Sequence, residues 1–181
     1  MTDGSDALTT VVREIEAHAS AGGWEAPEQL FALVPTAALI AAEPQLAGAL
    51  GLDRATADGF TPVEQEALEP GLAIEDVLPR IVWPAGVAGV AAVAVRLVLP
   101  PEADGALPDD AAEALEYAAA HPDRQEVRMV AAVLRTGETA CAMRLRSHDA
   151  DDLVLTGPDL VPGLLNLLHA TLEDEENARD E

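Results

Sequence analysis

The segment from Glu126 to Ser147 limits the fold more than any other part of the chain. Two runs of alternating side chains, Glu126 to Arg135 and Thr139 to Ser147, are joined by Thr136-Gly137-Glu138. Alternation at period two sends successive side chains to opposite faces of a sheet. A short Gly-containing connection joins antiparallel neighbours, because a parallel pair needs a crossover of about a dozen residues or more. An earlier run, Val90 to Leu99, alternates Val93, Val95, Leu97 and Leu99 with Ala92, Ala94, Arg96 and Val98 and stops at Pro100-Pro101. Its β-branched content and its proline stop predict a third strand. The chain must therefore build an antiparallel sheet.

Helices fill much of the remainder. Leu8, Val11, Val12, Ile15 and Ala19 recur at helical spacing before Gly22-Gly23, which predicts an amphipathic helix over 6–21. Leu30 to Val34 reads as a strand, and Thr36 to Leu50 as a helical stretch that Pro44 breaks. Phe60 to Glu66 is a further strand candidate, and 73–82 a helical turn or two. A loop follows at Glu102 and Asp104. Asp110, three residues before Glu113, caps a helix that runs to about Ala120. Leu153-Val154-Leu155 predicts an edge strand. In the last helix Val161, Leu164, Leu165, Leu168 and Leu172 mark one face, which Leu160 and Leu167 widen. So broad a face is either deeply buried or shared with a second copy.

The expected architecture is α+β: an antiparallel sheet of about five strands with helices on one face. The order is helix, three strands, helix, two strands, helix, with helical insertions. It resembles that of the type III secretion chaperone class. Residues 1–172 are expected to form one domain and 173–181 an acidic, frayed tail. A chain of 181 residues needs no disulfide to hold its core, and Cys141 has no partner for one.

Charge narrows the range of partners. Thirty-three acidic residues face 10 basic ones, for a formal net charge of −23, and every basic residue is Arg. Nucleic acids and anionic membranes are held by clusters of Lys and Arg, so this overall field excludes both. The Lys-free composition suits a GC-rich genome or a high-salt habitat. The longest uncharged apolar stretch, Ile81 to Val95, is interrupted by Pro84, Gly86 and Gly89 and is shorter than the ~18–20 residues of a spanning helix. With no secretory signature at the N-terminus, the expected location is the cytoplasm.

Strand alternation gathers the cations. Arg96 on one strand, Glu126 and Arg128 on the next, and Arg144, Arg146 and His148 on the third would share a sheet face if these strands are neighbours. Two readings stay open. Arginine forks hold carboxylate or phosphate in bidentate pairs, so this face could dock a small anionic ligand or a partner protein. Alternatively, it pairs with the chain's own acids.

Other motifs carry less. His121-Pro122-Asp123 matches the tripeptide of J-domain co-chaperones, but its acidic flanks and the strand after it do not, so it reads as a helix stop. His148-Asp149-Ala150-Asp151-Asp152 is the densest group of oxygen and nitrogen ligands. It lacks the glycine and glutamate of a calcium loop and is expected to be a solvated turn. No metal or cofactor is expected. Cys141 falls on the aliphatic face of its strand, where a thiol is inert. There is no nucleophile elbow, phosphate loop or dinucleotide fingerprint, and without Lys there is no Schiff base. Trp24 and Trp83, each beside a turn, read as packing anchors.

Four segments carry a resemblance: Leu30 to Thr36, Leu97 to Glu102, His121 to Arg128, and Leu155 to Leu164. They look like those of a family of uncharacterised actinobacterial proteins, over nearly the whole chain. The resemblance implies a soluble cytoplasmic domain from a GC-rich bacterium and assigns no residue a role. The sequence therefore points to a non-catalytic binding protein, paired as a homodimer through its last helix or a sheet edge. The alternative is a small metal-assisted hydrolase working from residues 148–152.

Overall fold

The computed structural model describes residues 4–69 and 71–177. In chain order its elements are α1 (Gly4–Ala21), β1 (Gln29–Pro35), α2 (Thr36–Ala42), α3 (Pro44–Ala49), β2 (Phe60–Glu64) and α4 (Ile74–Val77), followed by a 3-10 turn at Leu78–Arg80. Then come β3 (Gly89–Val98), α5 (Pro101–Asp104), α6 (Ala111–Ala120), β4 (Gln125–Leu134) and β5 (Thr139–Leu145). Two 3-10 turns (Arg146–His148 and Asp151–Leu153), β6 (Leu155–Gly157) and α7 (Pro162–Asn177) complete the chain.

The strands form one antiparallel sheet in the order β2-β1-β3-β4-β5-β6. It has six strands among the described residues, where about five were expected. The sixth is the edge strand, which begins at Leu155 instead of Leu153 because residues 151–153 coil into a 3-10 turn. The loop expected at Glu102 and Asp104 is the short helix α5, which Pro101 opens with its fixed φ. Gly137, at φ +102°, makes the turn of the β4–β5 hairpin, a conformation glycine adopts without steric penalty.

Helices cover both faces of the sheet, not one. On the first face α1 lays Leu8, Val11, Val12, Ile15 and Ala19 against Phe31, Leu33, Ala91, Val93, Val130 and Ala132. On the second, Leu164, Leu165, Leu168 and Leu172 of α7 join Ile74, Leu78 and Trp83 over Val90, Ala92, Ala131, Val133 and Cys141. The central strands β3 and β4 thus bury both faces and read as near-continuous apolar runs. Leu164, Leu165, Leu168 and Leu172 of the broad apolar arc are absorbed by the chain's own core, with Val161 and Leu167 partly buried against it, while Leu160, before the helix, stays exposed. This helix continues to Asn177, and residues 178–181 of the expected tail lie outside those described.

Two devices fix the layers. A Cβ at Gly89 would lie 2.5 Å from the Val133 carbonyl oxygen and 3.1 Å from Leu134 Cα, so only glycine lets β3 start this close to β4. Arg135, just past β4, donates from Nε to the Val87 carbonyl at 2.8 Å, from Nη1 to Leu172 at 2.9 Å and from Nη2 to Trp83 at 3.1 Å. One guanidinium thereby ties the hairpin, the 83–87 loop and the end of α7 together. The Trp83 indole donates to Thr171 Oγ1 at 3.0 Å in the same corner.

Candidate functional site

Strand register decides which arginines meet. Arg128 of β4 lies directly opposite Arg144 of β5, and Arg128 is paired on its other side with Val95 of β3. These side chains share the face that α1 covers. Arg96 is opposite Val127 and so projects to the other face. The sequence expectation of one face bearing all four arginines fails by this single step of register, because an odd offset inverts every side chain.

Glu16 on the buried stripe of α1 is the centre of the cluster. Its Oε1 accepts from Arg144 Nε at 2.6 Å and its Oε2 from Arg144 Nη2 at 2.9 Å. Arg128 Nη1 stands 3.6 Å from the same carboxylate. Arg144 also donates from Nη1 to Asp149 Oδ1 at 2.9 Å and from Nη2 to Asp151 Oδ1 at 2.7 Å. Both arginines are buried, at 1% exposure for Arg128 and 2% for Arg144. The Gly22-Gly23 turn reverses the chain after α1 and sets Trp24 over Arg128, with the guanidinium carbon 4.3 Å from the ring centre. The Trp24 indole donates to Asp149 Oδ2 at 2.9 Å, and Arg128 Nη2 donates to the Gly23 carbonyl at 3.0 Å.

The electrostatics follow from these contacts. Hydrogen bonding to Glu16 raises the Arg144 pKa, and the bonds to Asp151 and Asp149 add to it. Burial lowers the pKa of Arg128, against the attraction of Glu16. The Asp149 carboxyl is lowered by its bond from Trp24 and then by Arg144. Arg128 Nη1 is the one buried side-chain nitrogen or oxygen without a hydrogen-bond partner among the described residues.

The other expected site residues lie outside this centre. Arg96 bonds Glu28 and donates from Nη2 to both oxygens of Glu75 at 2.6 Å. Arg146 bonds Glu126 and reaches Glu25 at 3.3 Å. His148 is exposed, and its Nδ1 lies 2.9 Å from Ser147 Oγ. Among the described residues, no group of three or more His, Cys, Asp or Glu could hold a metal. In the 148–152 turn, Asp149 and Asp151 face a guanidinium instead. His121 caps the end of α6, and its Nδ1 accepts from the Asp123 N–H at 3.1 Å.

A groove of about 380 Å³ opens onto the cluster, lined by Arg13, Glu16, Arg144, Asp151, Asp152 and Thr156. A family model described as PPA1309-like protein matches residues 8–173. The chain belongs to this family. No curated protein and no solved structure matches it. The matched span contains the whole ion cluster, from Glu16 to Asp151.

Three contributors to this site carry no functional signal in the sequence. Glu16 is one acid among many, and its only signal is its position on the apolar stripe beside Ile15. Trp24 was read as a packing anchor, but it also orders two charges. Arg13, one turn of α1 earlier, becomes visible only when β6 is placed beside that helix.

Proposed function

We propose that this chain is a non-catalytic binding protein that meets a partner protein through α6 and the end of β3. The observation that carries this reading is an apolar helix with no fully buried residue. α6 is Ala-Ala-Glu-Ala-Leu-Glu-Tyr-Ala-Ala-Ala, none of its residues is buried, and Leu115 is 68% exposed. Leu97 and Val98 at the end of β3, and Leu107 before the helix, are exposed as well. A single exposed Leu is ordinary, but a run of them with a bare helix marks an interaction surface.

Charge selects the partner. Asp109, Asp110, Glu113 and Glu116 are exposed around these apolar side chains. Two copies meeting here would set acid against acid, whereas a basic amphipathic partner would find both an apolar seat and opposite charge. A partner seated here would therefore be basic, which favours a different protein over the expected homodimer.

The arginine-bearing face fits this reading as an internal brace that holds α1 and the 146–153 turn. A hydrolase working from residues 148–152 is the weaker alternative, since Arg144 occupies the position a cation would need. Mg²⁺, Mn²⁺ and Ca²⁺ are expected to leave the melting temperature unchanged, and a rise of several degrees would favour the hydrolase. The likeness in element order to the type III secretion chaperone class agrees with a binding role at the level of topology only. We also hold that the protein is cytoplasmic and actinobacterial, with Arg in place of Lys through GC-rich codons. No helix among the described residues is long and apolar enough to cross a membrane.

A photo-crosslinking residue at position 115, with another at Asp152 as control, tests the reading in the source cells. The expected result is an adduct of one discrete mass at 115 and none at 152. No adduct at 115, or an adduct of twice the chain mass, overturns a basic heterologous partner.

A further inference from the structure

We propose that the groove between α1 and β6 is a binding site for a short dicarboxylate and that Asp151 is its built-in competitor. Arg144 lies at the floor with its side chain 3% exposed, yet one of the two acids on its Nη2, Asp151, has a side chain 95% exposed. Glu16, 3% exposed, holds the guanidinium from the protein side, and Asp149, 44% exposed, holds it from the rim. Asp151 reaches it almost wholly from solvent.

Such an arm is easily displaced. A surface carboxylate contributes ~0–1 kcal/mol to an ion pair, because water competes for it and the side chain loses freedom. A ligand carboxylate in its place would keep the cluster's charge balance unchanged, so the exchange leaves no buried charge unpaired. The net charge of −23 opposes the approach of an anion, but at physiological salt that field is screened beyond ~8 Å.

A second cation makes the ligand a dicarboxylate. Arg13 on the α1 wall is exposed, and its Nη2 is 3.5 Å from Thr156 Oγ1. No described carboxylate forms an ion pair with it. One carboxylate of the ligand would replace Asp151 on Arg144, and the other would meet Arg13 beside the Thr156 hydroxyl. The groove volume, about 380 Å³, falls at the small end of ligand sites, which run from ~300 to 1,000 Å³. This inference does not depend on the α6 surface, whose acidic rim lies elsewhere in the sequence.

The test is a titration of the full-length, ¹⁵N-labelled protein with succinate at physiological ionic strength, followed through the Arg13 and Thr156 amides. Wild type should bind weakly. Asp151→Ala, and Asp151→Ser as a second variant, should bind about fivefold more tightly, the factor a competitor occupying about four-fifths of the molecules removes from apparent affinity. Arg13→Gln should bind less tightly than wild type. Asp152→Ala removes the same charge from the same groove without vacating Arg144 and should tighten binding far less than Asp151→Ala. The proposal fails if Asp151→Ala and Asp151→Ser bind no more tightly than wild type, if Asp152→Ala equals Asp151→Ala, or if Arg13→Gln changes nothing.

Discussion

Glu16 and Arg144, 128 positions apart in sequence, form a bidentate pair at 2.6 and 2.9 Å between the first helix and the fifth strand. The pair works with three further charges close to it, with Arg128 beneath and Asp149 and Asp151 on the outer side. Each buried cation is offset by an acid, and the arrangement leaves α1 only one azimuth on the sheet.

Removing the acid should be costly. Glu16→Ala leaves two buried guanidinium groups short of a counter-charge, a type of loss that typically destabilises by ~3–5 kcal/mol. Urea unfolding followed by circular dichroism should show a lower midpoint with an unchanged slope. In a double-mutant cycle, Arg144→Met should cost less in the Glu16→Met background than in wild type.

Asp149 supplies the pH dependence. Its folded pKa is held down by the Trp24 and Arg144 bonds, while the unfolded value is about 3.9. A depressed carboxyl contributes stability that is complete above the unfolded pKa and is lost as pH falls through the folded one. Trp24 fluorescence and carboxyl ¹³C shifts should therefore titrate together below the usual Asp range. Asp149→Asn should abolish the coincidence; if fluorescence still changes at the same pH, another group is responsible.

Arg135→Lys is not a conservative change here. The fork donates from Nε, Nη1 and Nη2 to backbone carbonyls of Val87, Leu172 and Trp83, and a single ammonium cannot reach all three directions. A loss of about 2 kcal/mol is expected, since hydrogen bonds from a charged group contribute ~1.5–3 kcal/mol each and water replaces some of them. Thermal melts should show it, together with faster amide exchange near Leu172.

Gly89→Ala should destabilise through the backbone. The added methyl meets the Val133 oxygen at 2.5 Å, and strands held by a ladder on both sides cannot separate locally. Overpacking of this kind costs ~1–3 kcal/mol. A melting temperature equal to wild type would show that β3 can shift.

The fold was largely legible because its signals are local. Period-two alternation in β3, β4 and β5, Pro44 at the start of α3, and the Asp110 cap, whose Oδ1 accepts from Ala112 and Glu113 at 3.1 Å, each depend on neighbours in sequence. The coverage of both sheet faces was not legible, since alanines at 91, 92, 131 and 132 look alike on either side. The site was half legible. Arg128 and Arg144 could be placed on one face from their own hairpin. Arg96 could not, because its face depends on the register between strands separated by α5 and α6. Glu16 carries no mark that distinguishes it from the acids of the surface until the sheet is beneath it.

The first helix seals one face of the sheet, and the last helix seals the other. On the ribosome, at ~5–20 residues per second, α1 emerges early but finds Arg144 only after most of the chain has followed. The Val90 and Val133 side of the sheet, which Ile74, Leu78 and Trp83 cover in part, is closed only once Leu172 has been made. The core is thus closed from both ends of the message nearly at once, and nascent chains stopped within α7 should be the ones that chaperones hold longest.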